Sequence, residues 1–229
     1  MRYQGGKSFS AKHIAPIISE KANGKCFVSL FCGCCAVESK VAGYTRIILN
    51  DKHKYLISML KGVQAGYELP DTITEEQYKY IRQHKDEDPV LTGFVGFASS
   101  YGGRWFEGYA RGGNRNYTAE SKRSLLRDMK TLLSAKITCG DYRTVKIPPN
   151  SVIYADPPYA NTKQYGEKFD SEAFWEYMRA LAKDGHIVYV SELKAPSDFD
   201  CIWSREQRRS MDNSRDNNFA VTEKLFTYQ

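Results

Sequence analysis

The residues with the clearest chemical capacity are Asp156, Pro157, Pro158 and Tyr159, which close an apolar run, Val152-Ile153-Tyr154-Ala155. Such a run reads as a buried strand, so the acid falls at the strand's carboxyl end, where open α/β sheets bind their ligands. Prolines fix φ and carry no N–H, so the turn is stiff and offers acceptors without competing donors. The Asp156 carboxylate and the Pro157 carbonyl are two such acceptors, and Tyr159 adds a planar face. A rigid pair of acceptors beside an aromatic plate suits an exocyclic amine on a flat base. Taken alone, the four residues fit an ordinary turn with a buried tyrosine equally well.

Two further strand ends supply context. The run Cys26–Phe31 continues into Phe31-Cys32-Gly33-Cys34-Cys35-Ala36, small residues where a nucleoside-bearing cofactor lies across a sheet edge. With a single glycine this turn is a weak signal by itself. Thr45–Asn50 ends in Leu49-Asn50-Asp51. An acid roughly 20 residues beyond the turn is placed to bind ribose hydroxyls, or equally to cap a helix that starts near His53. The six cysteines, at 26, 32, 34, 35, 139 and 201, sit mostly in or beside apolar runs. Without two CxxC pairs or a histidine pair they read as buried reduced thiols, and no metal is expected.

The elements that must position these residues alternate. Strands are expected over Cys26–Phe31, Thr45–Asn50, Val152–Ala155, His186–Ser191 and Thr222–Tyr228. Between them Leu56, Leu60 and Val63 share a helical face that Gly66 would end, and Thr74 with Gln77 has capping-box spacing for a helix through Ile81. Leu125, Met129, Leu132 and Leu133 form another apolar stripe, as do Phe174, Met178 and Leu181 ahead of Gly185. Strands alternating with helices imply βαβ units and a mainly parallel sheet.

The rhythm breaks between about 67 and 123. Residues 71–88 hold six acids and three bases, whereas 101–127 hold six bases and two acids, so the sign of the charge flips within one segment. That segment reads as an insertion, 67–123, into a domain formed by 1–66 and 124–229. The 229-residue chain carries a formal charge of +6, which suits a polyanionic partner without demanding one. No apolar run reaches the roughly 20 residues that span a bilayer, and the first residues lack a signal-peptide pattern, so a cytoplasmic chain is expected.

Together the Phe31-Cys32-Gly33 turn, the Asp51 strand end and Asp156-Pro157-Pro158-Tyr159 resemble the amino-group DNA methyltransferases. The likeness is to the Dam-type, D12-class adenine-N6 enzymes, particularly short bacteriophage members. Tyr3-Gln4-Gly5-Gly6-Lys7 is similar to that family's N-terminal Trp/Tyr-x-Gly-Gly-Lys motif, and Gly140-Asp141-Tyr142 falls where the family contacts the cofactor adenine. The motif order, with the insert ahead of Asp156, matches the α arrangement. Departures stand beside these matches. Cys34 and Cys35 replace glycines of the family's Phe-x-Gly-Gly-Gly, where their side chains would narrow the cofactor pocket. Ser29-Leu30 stands where an acid and a proline are usual, and the insert lacks the family's Asn-Pro pattern.

The resemblance implies an α/β fold, a Rossmann-like S-adenosylmethionine-dependent methyltransferase sheet with a small inserted DNA-recognition subdomain. It implies S-adenosyl-L-methionine as cofactor, held by Tyr3, Lys7, Phe31, Gly33, Asp51, Asp141 and Asp156, with Lys7 facing the cofactor carboxylate. Asp156, Pro157, Pro158 and Tyr159 would grip and stack an adenine extruded from the partner, duplex DNA. Arg104, Arg111, Arg115, Lys122 and Arg123, interleaved with aromatics and glycines, form the expected DNA surface, with a solvated basic face as the alternative. The polar stretch Arg205–Asn218 is a second candidate contact. Cytosine-N4 methylation and a non-catalytic DNA-binding relative remain as alternatives.

Overall fold

A computed structural model describes residues 1–158, 169–210 and 218–229. Tyr159 and part of the Arg205–Asn218 stretch lie outside the described residues. The strands are β1 (Cys26–Ser29), β2 (Arg46–Asp51), β3 (Lys136–Cys139), β4 (Val152–Ala155), β5 (Ile187–Glu192), β6 (Phe199–Ser210) and β7 (Asn218–Tyr228). They form one sheet in the order β3-β2-β1-β4-β5-β7-β6. Strands β3, β2, β1, β4 and β5 run parallel, and β7 pairs antiparallel with both β5 and β6. This is a Rossmann-like, mainly parallel α/β sheet, the fold class expected from the sequence. The order reverses between β1 and β4, so the crevice beyond their carboxyl ends is the ligand position such sheets provide.

Helices cover both faces. They are α1 (Ala11–Ser19), α2 (Lys54–Gln64), α3 (Glu75–Gln83), α4 (Pro89–Ala98), α5 (Tyr117–Met129) and α6 (Ser171–Lys183). Alternation along the strands separates two cores. Phe27, Val152, Tyr154 and Tyr189 pack on α1, and Val28, Ile48, Ile153 and Val188 pack on α6. Strands β1 and β4 are buried at every position, as inner parallel strands require.

Five strands stand within a few residues of their expected limits, with β7 beginning at Asn218 rather than Thr222. Two were missed. Strand β3 is four residues long at a sheet edge, too short to show a period. Strand β6 is polar over Ser204–Ser210 and draws its order from its hairpin with β7. The capping box of Thr74 and Gln77 is present at the start of α3. In the stripe after α5, Leu125, Met129 and Leu132 are buried but Leu133 is 58% exposed, because the helix tightens to a 3-10 turn over Lys130–Leu132 and rotates Leu133 outward.

Residues 67–123 carry α3, α4 and the start of α5 joined by loops, with one isolated bridge, Ser100 to Tyr109. Helix α4 shows no amphipathic period because Thr92 through Ala98 are all buried. It lies so close to α2 that a Cβ on Gly93 would stand 2.0 Å from the Tyr55 carbonyl oxygen. Leu69, Ile73, Tyr78, Phe94 and Phe106 share one hydrophobic core with Leu49, Leu56 and Leu60. Among the described residues no helix is long and apolar enough to cross a membrane.

Candidate functional site

Beyond the carboxyl ends of β1, β2, β3 and β4 lies a cavity of about 1100 Å³. Its lining includes every residue expected to hold a cofactor: Tyr3, Lys7, Phe31, Gly33, Asp51, Asp141 and Asp156, together with Pro157 and Pro158. The size exceeds the roughly 300–1,000 Å³ of an ordinary ligand pocket, so there is room for more than one small molecule.

The strand ends are fixed to one another by Asn50. Its buried side chain donates to the Leu30 carbonyl at 3.2 Å and to the Gly140 carbonyl at 3.0 Å, and accepts from the Thr138 hydroxyl at 2.9 Å. One amide therefore ties the exits of β1, β2 and β3 together. The next residue, Asp51, accepts from the Gly33 N–H at 3.0 Å through Oδ2 and from the His53 N–H at 2.9 Å through Oδ1. It thus joins the small-residue turn to the start of α2. The helix cap is His53, whose Nδ1 accepts from the Leu56 N–H, and not Asp51. Burial raises the Asp51 carboxyl above its usual range and lowers His53 to about 4, so the imidazole is neutral near pH 7.

Gly33 has φ +48, and a Cβ there would meet the Tyr3 ring at 3.1 Å. The tyrosine is laid directly across the turn by this glycine's missing side chain. Of the two cysteines that replace family glycines, Cys34 lines the cavity, while Cys35 takes a left-handed φ of +58 and is buried away from the lining. The narrowing expected from position 35 therefore does not occur; position 34 alone borders the space. All six cysteines are free thiols, but Cys139 and Cys201 are exposed, on edge strands, contrary to the buried reading.

Lys7, expected to face the cofactor carboxylate, is 4% exposed, and its Nζ lies 2.5 Å from Asp156 Oδ1. Pro157 is buried and Pro158 exposed at the mouth. Phe31 packs against Tyr142 and Phe174 with ring centroids 5.1 and 6.0 Å apart, forming an aromatic wall below Asp141. Asp141 caps the turn Tyr142–Thr144 and pairs with Arg143, which holds its carboxyl below the usual range.

Several lining residues were not singled out from the sequence. Glu38 is a buried carboxylate reached by the Ser29 hydroxyl. Trp105, from the 67–123 segment, packs edge-on against His53 at 4.4 Å and stacks on Tyr55 at 5.5 Å, and Phe97 lies 5.0 Å from Tyr3. The segment thus forms one side of the cavity. Its only sequence signal was an aromatic among glycines and arginines.

The expected DNA surface is charge-paired within the chain. Arg111 forks onto Glu75, Arg115 onto Glu120, Lys122 reaches Asp71, and Arg104 reaches Glu107. Arg123 is exposed and joins no ion pair among the described residues. The flip of charge along 71–127 is in part the two sides of one packed contact, since Arg111 and Lys122 answer acids of the 71–88 stretch.

Residues 3–97 match the model of the D12 class N6 adenine-specific DNA methyltransferases. That span holds Tyr3, Lys7, Phe31, Gly33 and Asp51 and stops before Asp141 and Asp156. No curated protein sequence matches the chain. Among solved structures, PH1948 of Pyrococcus horikoshii, a candidate RNA methyltransferase, is 10% identical with a TM-score of 0.46, over 96% of this chain and 84% of that one. The rRNA methyltransferase aviRa from Streptomyces viridochromogenes is 11% identical with a TM-score of 0.42, over 95% and 83%. SMU.472, a candidate methyltransferase solved with SAH, is 13% identical with a TM-score of 0.41, over 99% and 54%.

Proposed function

We propose that the chain is a DNA adenine-N6 methyltransferase that uses S-adenosylmethionine. One observation carries the reading. The Tyr3–Lys7 segment, the Gly33 turn, Asp51, Asp141 and the Asp156-Pro157-Pro158 corner, distant in sequence, all border one cavity beyond the switch point of the sheet. The donor set fits the cofactor in kind. Asp51 offers acceptors for ribose hydroxyls, Phe31 and Asp141 flank a place for a purine, and Tyr3, Lys7 and Gly33 border a place for the amino-acid end. When bound, S-adenosylmethionine supplies an electrophilic methyl group on a sulfonium.

The chain's residues do the rest. An adenine is accessible to that methyl only when rotated out of the duplex, at roughly a few kcal/mol. Asp156 and the Pro157 carbonyl would accept its two N6 hydrogens, drawing the nitrogen lone pair out of conjugation and stabilising the positive charge that grows there, and the surplus N6 proton would then leave by way of the Asp156 carboxylate to water. Lys7 orients the Asp156 carboxylate through their ion pair. Tyr159 stacks on the base, and the basic residues of 104–123 hold phosphates once freed from their internal acids. Much of the acceleration is positioning.

The test is mass spectrometry of nucleosides digested from DNA incubated with the chain and S-adenosylmethionine. N6-methyladenine is expected, and it should vanish with Asp156→Ala while DNA retardation in gels persists. N4-methylcytosine, or turnover retained by Asp156→Ala, contradicts the reading.

A further inference from the structure

Glu38 sits on the 3-10 turn that follows the Gly33 corner, lines the cavity, and is 2% exposed. Its Oε1 accepts from the Ser29 hydroxyl at 2.7 Å, so the last residue of β1 aims it. Among the described residues it belongs to no ion pair, and burial is the main influence on its carboxyl. A buried carboxylate without a counter-charge is costly to desolvate. The chain's own buried cations on this wall are already engaged. Lys7 holds Asp156 at 2.5 Å, and the amino terminus lies 3.7 Å from Asp128. The cavity therefore presents a buried acid that a cationic group of a ligand would complete as a carboxylate.

Resting on the methyl-donor reading above, we infer that Glu38 binds the α-ammonium group at the amino-acid end of S-adenosylmethionine. The family's usual acid is missing at position 29, where a serine stands. That serine's hydroxyl now holds a carboxylate delivered from nine residues later. The acid has moved along the chain while its charge still borders the cavity. Burial of Glu38, which pushes its carboxyl up to about 7 in the absence of a cation, fits a group that a bound ammonium would complete.

Three ligands separate the possibilities by calorimetric titration. S-adenosylmethionine carries an ammonium and a sulfonium, S-adenosylhomocysteine only the ammonium, and 5′-methylthioadenosine neither. Glu38→Gln should weaken the first two by roughly 10- to 100-fold, the range of a charge-assisted hydrogen bond, and leave the third within about twofold. Equal weakening of all three makes Glu38 a structural prop and overturns the assignment. Loss confined to S-adenosylmethionine points to the sulfonium and also overturns it. If Glu38→Gln does not fold, Ser29→Ala keeps the carboxylate and removes its hydroxyl partner. The same selective loss is then expected at about threefold, and a uniform change or none refutes the inference. A wild-type chain that binds none of the three ligands refutes the methyl-donor reading instead, which is a distinct result.

Discussion

Lys7 and Asp156 stand 149 residues apart and meet at 2.5 Å, the lysine 4% exposed and the aspartate side chain 18%. The contact closes the amino-terminal segment onto the end of β4, across the cavity that both border. An ion pair this sheltered is weakly screened, and removing one member leaves the other desolvated. Lys7→Met should therefore destabilise the fold by about 1–3 kcal/mol. Asp156→Asn should do likewise, and the double variant should show a coupling of about 1 kcal/mol or more. Urea unfolding of the four proteins measures it. Additive effects would mean the pair contributes orientation without stability.

The turn at Gly33 makes a sharper demand. A methyl group there meets the Tyr3 ring at 3.1 Å and must also be held at φ +48. Left-handed backbone costs an L-residue about 1–2 kcal/mol, and the ring can yield only by moving against Phe97, 5.0 Å away. Gly33→Ala should lower stability by about 1–3 kcal/mol in thermal melts and weaken S-adenosylmethionine at least about tenfold in titration, a loss of about 1.4 kcal/mol. Unchanged affinity would show that Tyr3 does not form the cofactor wall.

How far these positions could be read in advance depended on the kind of signal. Asp156 was legible because a β-branched run ended in two prolines, a local pattern that fixes both strand and turn. Gly33 and Asp51 were legible for the same reason, as strand ends. Helix α4 was not, because burial on all sides erases the amphipathic period that marks a helix. Strand β3 was hidden by brevity, and β6 by polar residues whose order depends on a partner strand. Glu38 left no sequence signal, since its place in the cavity wall depends on a hydroxyl nine residues earlier being aimed at it by a strand. Tertiary pairing also changed the meaning of the charges in 71–127, which looked like a field for a partner and proved to be partly internal.

That internal pairing makes a prediction about nucleic acid. Arg111 donates Nε and Nη2 to the Glu75 carboxylate, with both residues near solvent and the contacts at 2.7 to 3.1 Å. Exposed pairs of this sort add only about 0–1 kcal/mol to stability, so neither Glu75→Gln nor Arg111→Ala should shift unfolding much. Binding of duplex DNA should respond in opposite directions. Glu75→Gln releases the guanidinium and should tighten binding with a steeper salt dependence. Arg111→Ala should weaken binding and reduce the slope by about one phosphate's worth. Fluorescence anisotropy between about 50 and 200 mM salt reads both. Slopes unchanged in the two variants would remove Arg111 from the DNA surface and leave the pair as a surface tie between α3 and the glycine-rich loop.

The burial of two acids, Glu38 and Glu192, predicts how stability depends on pH. Burial pushes Glu38 up to about 7, against 4.5 for an ordinary glutamate. Glu192, at the end of β5, rises to about 7 from the same cause, with Asp156 adding repulsion. Both folded values lie above the unfolded ones, so the folded chain holds protons that the unfolded chain has released. The contribution of each group is fully present below about 4.5 and is lost as the pH rises through about 7. His53 acts in the opposite sense. Burial lowers it from 6.5 to about 4, so its contribution is present above 6.5 and lost as the pH falls through about 4. Wild-type melts mix these trends, and the difference between wild type and Glu38→Gln isolates one of them. The glutamine stays neutral, so its melting temperature relative to wild type should rise from pH 5 to pH 7.5, corresponding to roughly 2–3 kcal/mol or about 5 °C. A saturating cation at Glu38 should remove most of that difference, because a bound ammonium restores the ionised carboxylate's partner. A pH-independent difference would show that Glu38 titrates as a solvated acid and that the wall of the cavity beside Gly33 is wetter than its burial implies.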